Sequence, residues 1–167
     1  MKRLLFTVIV GLVAIPVVGQ TNSWKGLTPL RSTREQVEKL FGKPNPERIK
    51  YINEYKVGED SVQVEYSQKP CDEGWDVPIG SVLSFRVTVS PQINKSAVEL
   101  MLDEMKFFIT GDDALYGTWT EPVLGIQYYF MHMRMSLNYV RYIPRREDND
   151  LRCDGFPPYI PEAQYFT

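Results

Sequence analysis

Two runs of alternating apolar and polar residues constrain the fold of this chain more than any other feature. The first covers residues 61–66 and the second residues 83–89, with apolar side chains at every second position: Val62, Val64, Tyr66, Leu83, Phe85, Val87 and Val89. Successive side chains of a strand point to opposite faces, so this period of two predicts strands with one buried face. Such strands are typical of antiparallel sheets. We expect Tyr139 or its neighbours to join the same buried face.

Two other segments carry the pattern of short amphipathic helices, near residues 33–41 and 96–106. Each opens with a capping box, in which the N-cap side chain and a residue three positions later bond each other's backbone. The boxes are Ser32 or Thr33 with Glu35 or Gln36, and Ser96 with Glu99. The predicted fold is therefore α+β. Two short helices pack on an antiparallel sheet in the order helix, strands, helix, strands, and residues 107–120 keep an ambiguous pattern.

The first 19 residues have the features of a secretory signal peptide. Lys2 and Arg3 precede an apolar run over residues 4–18, and Val17 and Gly19 stand where a signal peptidase reads small or apolar residues. This run is short for a membrane span, which needs about 20 residues. We predict cleavage between Gly19 and Gln20, export to the periplasm or the extracellular space, and no stable membrane span afterwards.

The two cysteines of the chain, Cys71 and Cys153, both follow the predicted cleavage site. An isolated pair in an exported protein is typical of one disulfide bond. Two free thiols or a shared metal are the alternatives, but a metal would need further ligands, and the only histidine, His132, is distant in sequence. We predict a structural bond and no cofactor or metal.

Length and charge limit the domain count and the class of partner. After residues 1–19, the chain fits a single domain over residues 20–153 and a tail over residues 154–167 that is rich in proline and aromatic residues. The net charge of −2 comes from 19 basic and 21 acidic residues, and no basic stripe stands out. Nucleic-acid binding needs clustered lysine and arginine, so this function is not expected.

Aromatic residues are the strongest candidates for a binding surface. Trp75 lies in the loop that carries the first cysteine, Trp119 follows a turn, and Tyr128 and Tyr129 are adjacent in a predicted strand. Adjacent strand residues face opposite sides of a sheet, so one of these two tyrosines is a candidate for exposure. Ordinary packing of these rings in the core is the alternative.

A search for catalytic residues favours a binding function. No motif of an activated serine or cysteine nucleophile is present, and His132 has no acidic partner at a recognisable spacing. Paired carboxylates could serve glycoside hydrolysis. The candidates lie in segments typical of turns, where aspartate is common for its local hydrogen bonds: Asp72, Glu73, Asp76, Asp112, Asp113, Glu147, Asp148 and Asp150.

The first helix and its C-terminal turn, residues 32–44, resemble the corresponding segment of the SmpA/OmlA envelope domains. That resemblance implies a fold related to the β-lactamase inhibitor proteins and a role beside outer-membrane assembly. The chain lacks the lipidated cysteine of those lipoproteins. Together with residues 74–78 and 151–153, the segment also resembles a group of exported bacterial proteins with no assigned activity. Neither resemblance supplies catalytic residues.

The sequence thus predicts an exported, non-enzymatic domain that binds a protein partner of the cell envelope or the extracellular space. The alternative is a hydrolase of cell-wall or surface glycans that uses loop carboxylates.

Overall fold

A seven-stranded antiparallel sheet dominates the part of the chain that the computed structural model describes, which is residues 22–45, 52–88, 90, 108–113, 116–121, 123–131 and 136–161. The strands are β1 (Ile52–Val57), β2 (Asp60–Tyr66), β3 (Val82–Thr88), β4 (Phe108–Asp113), β5 (Tyr116–Glu121), β6 (Ile126–Met131) and β7 (Ser136–Tyr142). One α-helix, α1 (Arg34–Phe41), precedes them, and a 3₁₀ helix (Arg146–Leu151) follows.

The sheet consists of two meanders joined side by side. Strands β1, β2 and β3 form the first, strands β4 to β7 form the second, and the order across the sheet is β1-β2-β3-β7-β6-β5-β4. The joint is the pairing of β3 with β7, in which Phe85 lies opposite Tyr142, Arg86 opposite Arg141, and Val87 opposite Val140. This register decides which side chains of the two meanders share a face.

The face called the inner face here carries the larger hydrophobic core. It follows the predicted alternation, because Val62, Val64, Phe85 and Val87 are at most 1% exposed. Its core cluster consists of Leu27, Val37, Tyr55, Val62, Val64, Tyr66, Val82, Phe85 and Val87. The register places Tyr142 and Val140 on this face, whereas Tyr139 lies on the opposite, outer face.

Helix α1 begins and ends as the sequence predicts. The Thr33 side chain accepts a hydrogen bond from the Gln36 backbone, the Gln36 side chain bonds back to the Thr33 backbone, and Gly42 follows the last turn with φ of 83°. Val37 joins the core cluster. The Phe41 ring stands 5.7 Å from that of Trp24 and 6.1 Å from that of Tyr55.

A register shift at the start of β3 places adjacent residues of this strand in two different hydrophobic clusters. Glu65 pairs with Ser84 but Tyr66 pairs with Val82, so Leu83 is an extra residue in the ladder. Val82 therefore packs into the inner-face core. Leu83 instead packs into a second cluster, called the loop cluster here, which consists of Leu30, Trp75, Val77, Leu83 and Tyr159.

The predicted disulfide bond is confirmed. Cys71 and Cys153 are bonded, and their Cα atoms stand 5.9 Å apart. The bond ties the loop over residues 67–81 to the chain that leaves the 3₁₀ helix. Part of the predicted tail packs here, because Tyr159 is 7% exposed and its ring stands 5.0 Å from that of Trp75.

The predicted fold class is wrong. In place of two helices on a sheet in the order helix, strands, helix, strands, the described residues form one eight-residue α-helix, then seven strands, then a short 3₁₀ helix. The ambiguous residues 107–120 account for most of the difference, since they contribute β4 and most of β5. The signal peptide, the second helix near 96–106 and Val89 were predicted for positions outside the described residues.

Candidate functional site

An open groove with a volume of about 240 Å³ crosses the outer face of the sheet. Four neighbouring strands line this outer-face groove: Ile52 comes from β1, Gln63 and Glu65 from β2, Ser84 and Arg86 from β3, and Tyr139 and Arg141 from β7. Strands in a sheet are about 4.8 Å apart, so the groove spans about 14 Å across them. It therefore offers room for several residues of an extended peptide.

Two arginines lie directly opposite each other in this groove. Arg86 and Arg141 form a cross-strand pair between β3 and β7. Arg86 donates two hydrogen bonds to the Gln63 side-chain oxygen, one of them 2.7 Å long from Nε. Arg141 Nη2 lies 3.1 Å from Ser84 Oγ and 3.4 Å from Glu65 Oε2. The groove thus holds two guanidinium groups and one carboxylate.

A stacked pair of tyrosines borders the arginines. The rings of Tyr129 and Tyr139 lie 4.7 Å apart with an interplanar angle of 6°. The Arg86 guanidinium carbon stands 5.4 Å from the centre of the Tyr139 ring, within the range of a cation–π contact. The groove therefore places a flat aromatic surface next to positive charge.

Two further grooves continue this depression toward the disulfide loop. One, of about 340 Å³, is lined by Glu65, Tyr66, Gln68, Lys69, Asp72, Glu73 and Leu83. The other, of about 160 Å³, includes Glu65, Glu73, Trp75, Arg141 and Tyr159 among its lining residues. Glu65 lines all three grooves. The disulfide loop thus forms one end of the depression.

Non-covalent contacts also hold the disulfide loop, in addition to the disulfide bond itself. The Asp76 backbone N–H donates to Leu151 at 2.8 Å, and that of Cys153 donates to Gly74 at 3.0 Å. The Arg152 guanidinium lies 4.5 Å from the Trp75 ring centre and donates to the Glu73 carbonyl at 2.9 Å. Burial lowers the pKa of Arg152, and the contacts with Tyr159 and Glu73 oppose this effect.

Gly74 allows the close approach of the two segments. Its φ is 79°, and a Cβ atom there would lie 2.5 Å from Phe156 and 2.6 Å from Arg152. A side chain at this position would therefore displace Arg152 or Phe156 in addition to straining the backbone.

The four aromatic residues predicted to bind a partner occupy different places. Trp75 is 3% exposed, lies in the loop cluster and is one of the residues that line the groove of about 160 Å³. Trp119 pairs with Tyr128 through the backbone of β5 and β6, and its side chain lies outside the described part of the structure. Tyr128 packs on the inner face against Phe130 and Leu137. Burial raises the pKa of Tyr128, and Glu121 adds to this effect.

Of the four, Tyr129 is the one that lies beside the outer-face groove, through its stack on Tyr139. Tyr128 and Tyr129 thus face opposite sides of the sheet, in keeping with their adjacent positions in β6. Trp75 and Tyr129 thus belong to different groups of side chains, the loop cluster and the stack on Tyr139.

Several of the carboxylates considered for hydrolysis have local partners. Asp72 accepts a hydrogen bond from the Gln68 backbone at 2.7 Å. Asp148 is 2% exposed, accepts from the Arg145 backbone and forms an ion pair with Arg31. Glu147 forms an ion pair with Arg145. Asp76 and Asp150 are exposed. His132 and the side chains of Asp112 and Asp113 lie outside the described residues.

Sequence reasoning did not single out the outer-face arginines. Arg86 and Arg141 each stand at a polar position of a strand, which is the ordinary place for a charged side chain. Only the β3–β7 register reveals that they lie opposite each other, and that register joins strands distant in sequence.

Among the described residues, neither a metal site nor a membrane-spanning helix is found. No group of three or more histidine, cysteine, aspartate or glutamate side chains there is arranged to hold a metal ion. No helix in the same residues is long and apolar enough to cross a membrane. Comparison with protein-family models, curated proteins and solved structures gave no match.

Proposed function

We propose that this chain is an exported, non-enzymatic domain that binds a protein partner through the outer face of its sheet, in the cell envelope or outside the cell. The observation that supports this proposal is the outer-face groove, which combines Arg86 and Arg141 with the Tyr129–Tyr139 stack. Arginine and tyrosine are enriched in protein interfaces and carry much of their binding energy.

Export is supported by the disulfide bond between Cys71 and Cys153. Disulfides persist in oxidising compartments and are rare in the cytosol of most cells. The signal-like sequence at the N-terminus points to the same route, with cleavage near Gly19.

Site-specific photo-crosslinking in the producing cells tests the binding surface. A photoreactive phenylalanine analogue replaces Ile52 in the groove in one variant and Val123 in the turn between β5 and β6 in a control variant. We expect one discrete cross-linked protein from position 52 and none from position 123. The partner, identified by mass spectrometry and purified, must then bind the isolated domain. Equal labelling from both positions, or no labelling at position 52, contradicts the proposal.

A glycan hydrolase is the second candidate, because Glu65, Asp72 and Glu73 line one groove of about 340 Å³. Two carboxyl groups about 5–10 Å apart across a cleft are the usual catalytic pair of glycosidases. This candidate predicts release of soluble sugars from purified cell-wall or surface glycans. It further predicts that Glu65→Gln or Glu73→Gln reduces the rate by more than a hundredfold, whereas Asp76→Asn does not. No release by the parent protein excludes it.

A further inference from the structure

The pairing of Arg86 with Arg141 is unfavourable for the folded protein by itself. Directly opposite residues of an antiparallel pair have Cβ atoms about 4.5–5.5 Å apart, and like charges at such positions repel. Both side chains lie on the outer face, so their positions are not required for packing of the inner-face core. A pair of like charges in an open groove therefore calls for another explanation.

The neighbouring groups offset only part of this positive charge. Glu65 is the one carboxylate among the residues that line the groove, and it lies 3.4 Å from Arg141. Within the described part of the chain, Arg86 contacts neutral groups, namely the Gln63 amide oxygen and the Tyr139 ring. One unit of positive charge therefore remains in the groove, in a chain with a net charge of −2.

We propose that Arg86 and Arg141 together bind a carboxylate side chain from an extended, acidic segment of the partner, an inference that rests on the proposed function. A guanidinium group has a planar array of donors that matches a carboxylate in a bidentate geometry. A carboxylate between the two arginines offsets their repulsion, at a point beside the Tyr129–Tyr139 stack. The width of the groove across four strands suits three to five extended residues.

A pair of synthetic peptides that differ by one group tests this subsite. The first is an eight-residue peptide of alternating valine and threonine with one central glutamate, and the second carries glutamine in place of that glutamate. Binding to the purified, disulfide-bonded protein is followed by the shifts of backbone amide signals in NMR spectra. We expect the glutamate peptide to shift the signals of residues 84–87 and 139–141 and to bind at least tenfold more tightly than the glutamine peptide.

Charge-removing variants locate the effect. Arg86→Gln and Arg141→Gln should each reduce the affinity for the glutamate peptide about tenfold. The affinity for the glutamine peptide should not change. The matched control is Lys56→Gln, which removes the same charge from the exposed end of β1. Added salt should weaken the binding of the glutamate peptide but not that of the glutamine peptide, because screening acts on the charge–charge contact.

The outcomes separate this inference from the proposed function. Equal binding of the two peptides, or no shift in the groove at millimolar peptide, overturns the carboxylate subsite, while cross-linking from position 52 still supports a binding surface. Equal shifts with inorganic phosphate alone show a general anion site and likewise overturn the peptide assignment. Absence of a cross-linked partner contradicts the proposed function whatever the peptides do.

Discussion

The two faces of the sheet are built from the same strands but follow different rules. On the inner face, Val62, Val64 and Phe85 are fully buried, and aromatic rings from α1 and the N-terminal segment cover them. On the outer face of the same strands, Gln63, Glu65, Ser84 and Arg86 form a hydrogen-bonded layer that lines an open groove. Packing therefore restricts residue choice on the inner face, which carries the core, and leaves the outer face open to polar and charged side chains.

The inner face gives the largest expected effect on stability. Phe85→Ala removes a ring that is 1% exposed and stacks on Tyr142 at 4.6 Å. We expect the free energy of unfolding to fall by about 3–5 kcal/mol, because the substitution loses transfer energy and leaves a cavity. Urea unfolding followed by circular dichroism measures this loss. Phe85→Leu is the control and should lower the free energy of unfolding much less. A loss below about 1 kcal/mol for Phe85→Ala would contradict the assigned core.

Removing the disulfide should have the next largest effect and should leave the outer face intact. Replacing Cys71 and Cys153 together by alanine frees a long loop of the unfolded chain, so we expect a loss of about 2–4 kcal/mol. The groove should keep its shape, since the backbone bonds from Asp76 to Leu151 and from Cys153 to Gly74 remain. Melting curves of the variant and of the reduced parent protein should agree. Loss of partner binding at a temperature where the variant is folded would show that the bond also shapes the groove.

Alkaline pH should destabilise the inner face through two of its tyrosines, the buried Tyr66 and the half-buried Tyr142. Burial raises the pKa of Tyr142 to about 12, and burial with the Tyr55 hydrogen bond raises that of Tyr66 further. Between the ordinary pKa near 10 and the folded value, the unfolded state binds fewer protons than the folded state. The free energy of unfolding therefore falls as pH rises, by at most about 1.4 kcal/mol per pH unit for each such tyrosine and by less where solvent screens the phenolate.

Tyr142→Phe tests this dependence at one position. The variant keeps the stack on Phe85 and should lose less stability than the parent between pH 9 and pH 11, while Tyr66 still contributes in both proteins. Denaturant unfolding at pH 9 and pH 11 provides the measurement. Identical slopes for the two proteins would mean that Tyr142 ionises in the folded state as it does in the unfolded chain.

The outer-face arginines should give the smallest effect on stability. Arg141→Gln removes an ion pair with Glu65 whose side chains are 37% and 31% exposed, and it also removes the repulsion from Arg86. The loss of the ion pair and the loss of the repulsion have opposite signs near the surface. We therefore expect the free energy of unfolding to change by less than about 0.5 kcal/mol. Thermal unfolding beside the Lys56→Gln control measures it. A loss above about 2 kcal/mol would place Arg141 among the residues that hold the fold.

Local signals were sufficient for the parts of the fold that depend on neighbouring residues. The cap formed by Thr33 and Gln36 identified α1, and the period of two in residues 61–66 identified the buried face of β2. The disulfide followed from the presence of two cysteines in a chain whose sequence predicts export. In each case, the physical cause acts over a few residues or through the redox compartment.

Features that depend on distant partners were not accessible in this way. The extra residue at Leu83 arises from how β2 pairs with β3, so simple alternation assigned Leu83 to the inner face. Tyr139 or its neighbours were expected on the buried face, and the register decides between them: Val140 lies on the inner face and Tyr139 on the outer face. The arginine pair depends on the joint between the meanders, which no local pattern encodes.

That joint between the two meanders has a consequence for how the chain folds. Each meander contains contacts between consecutive strands, which form quickly because little chain must be closed. The three residue pairs between β3 and β7 join halves that are distant in sequence, as does the bond between Cys71 and Cys153. We therefore expect the two meanders to form first and the pairing of β3 with β7 to limit the rate of folding. An oxidising enzyme that meets the chain before that union could fix the two cysteines early and shorten the search for the joint.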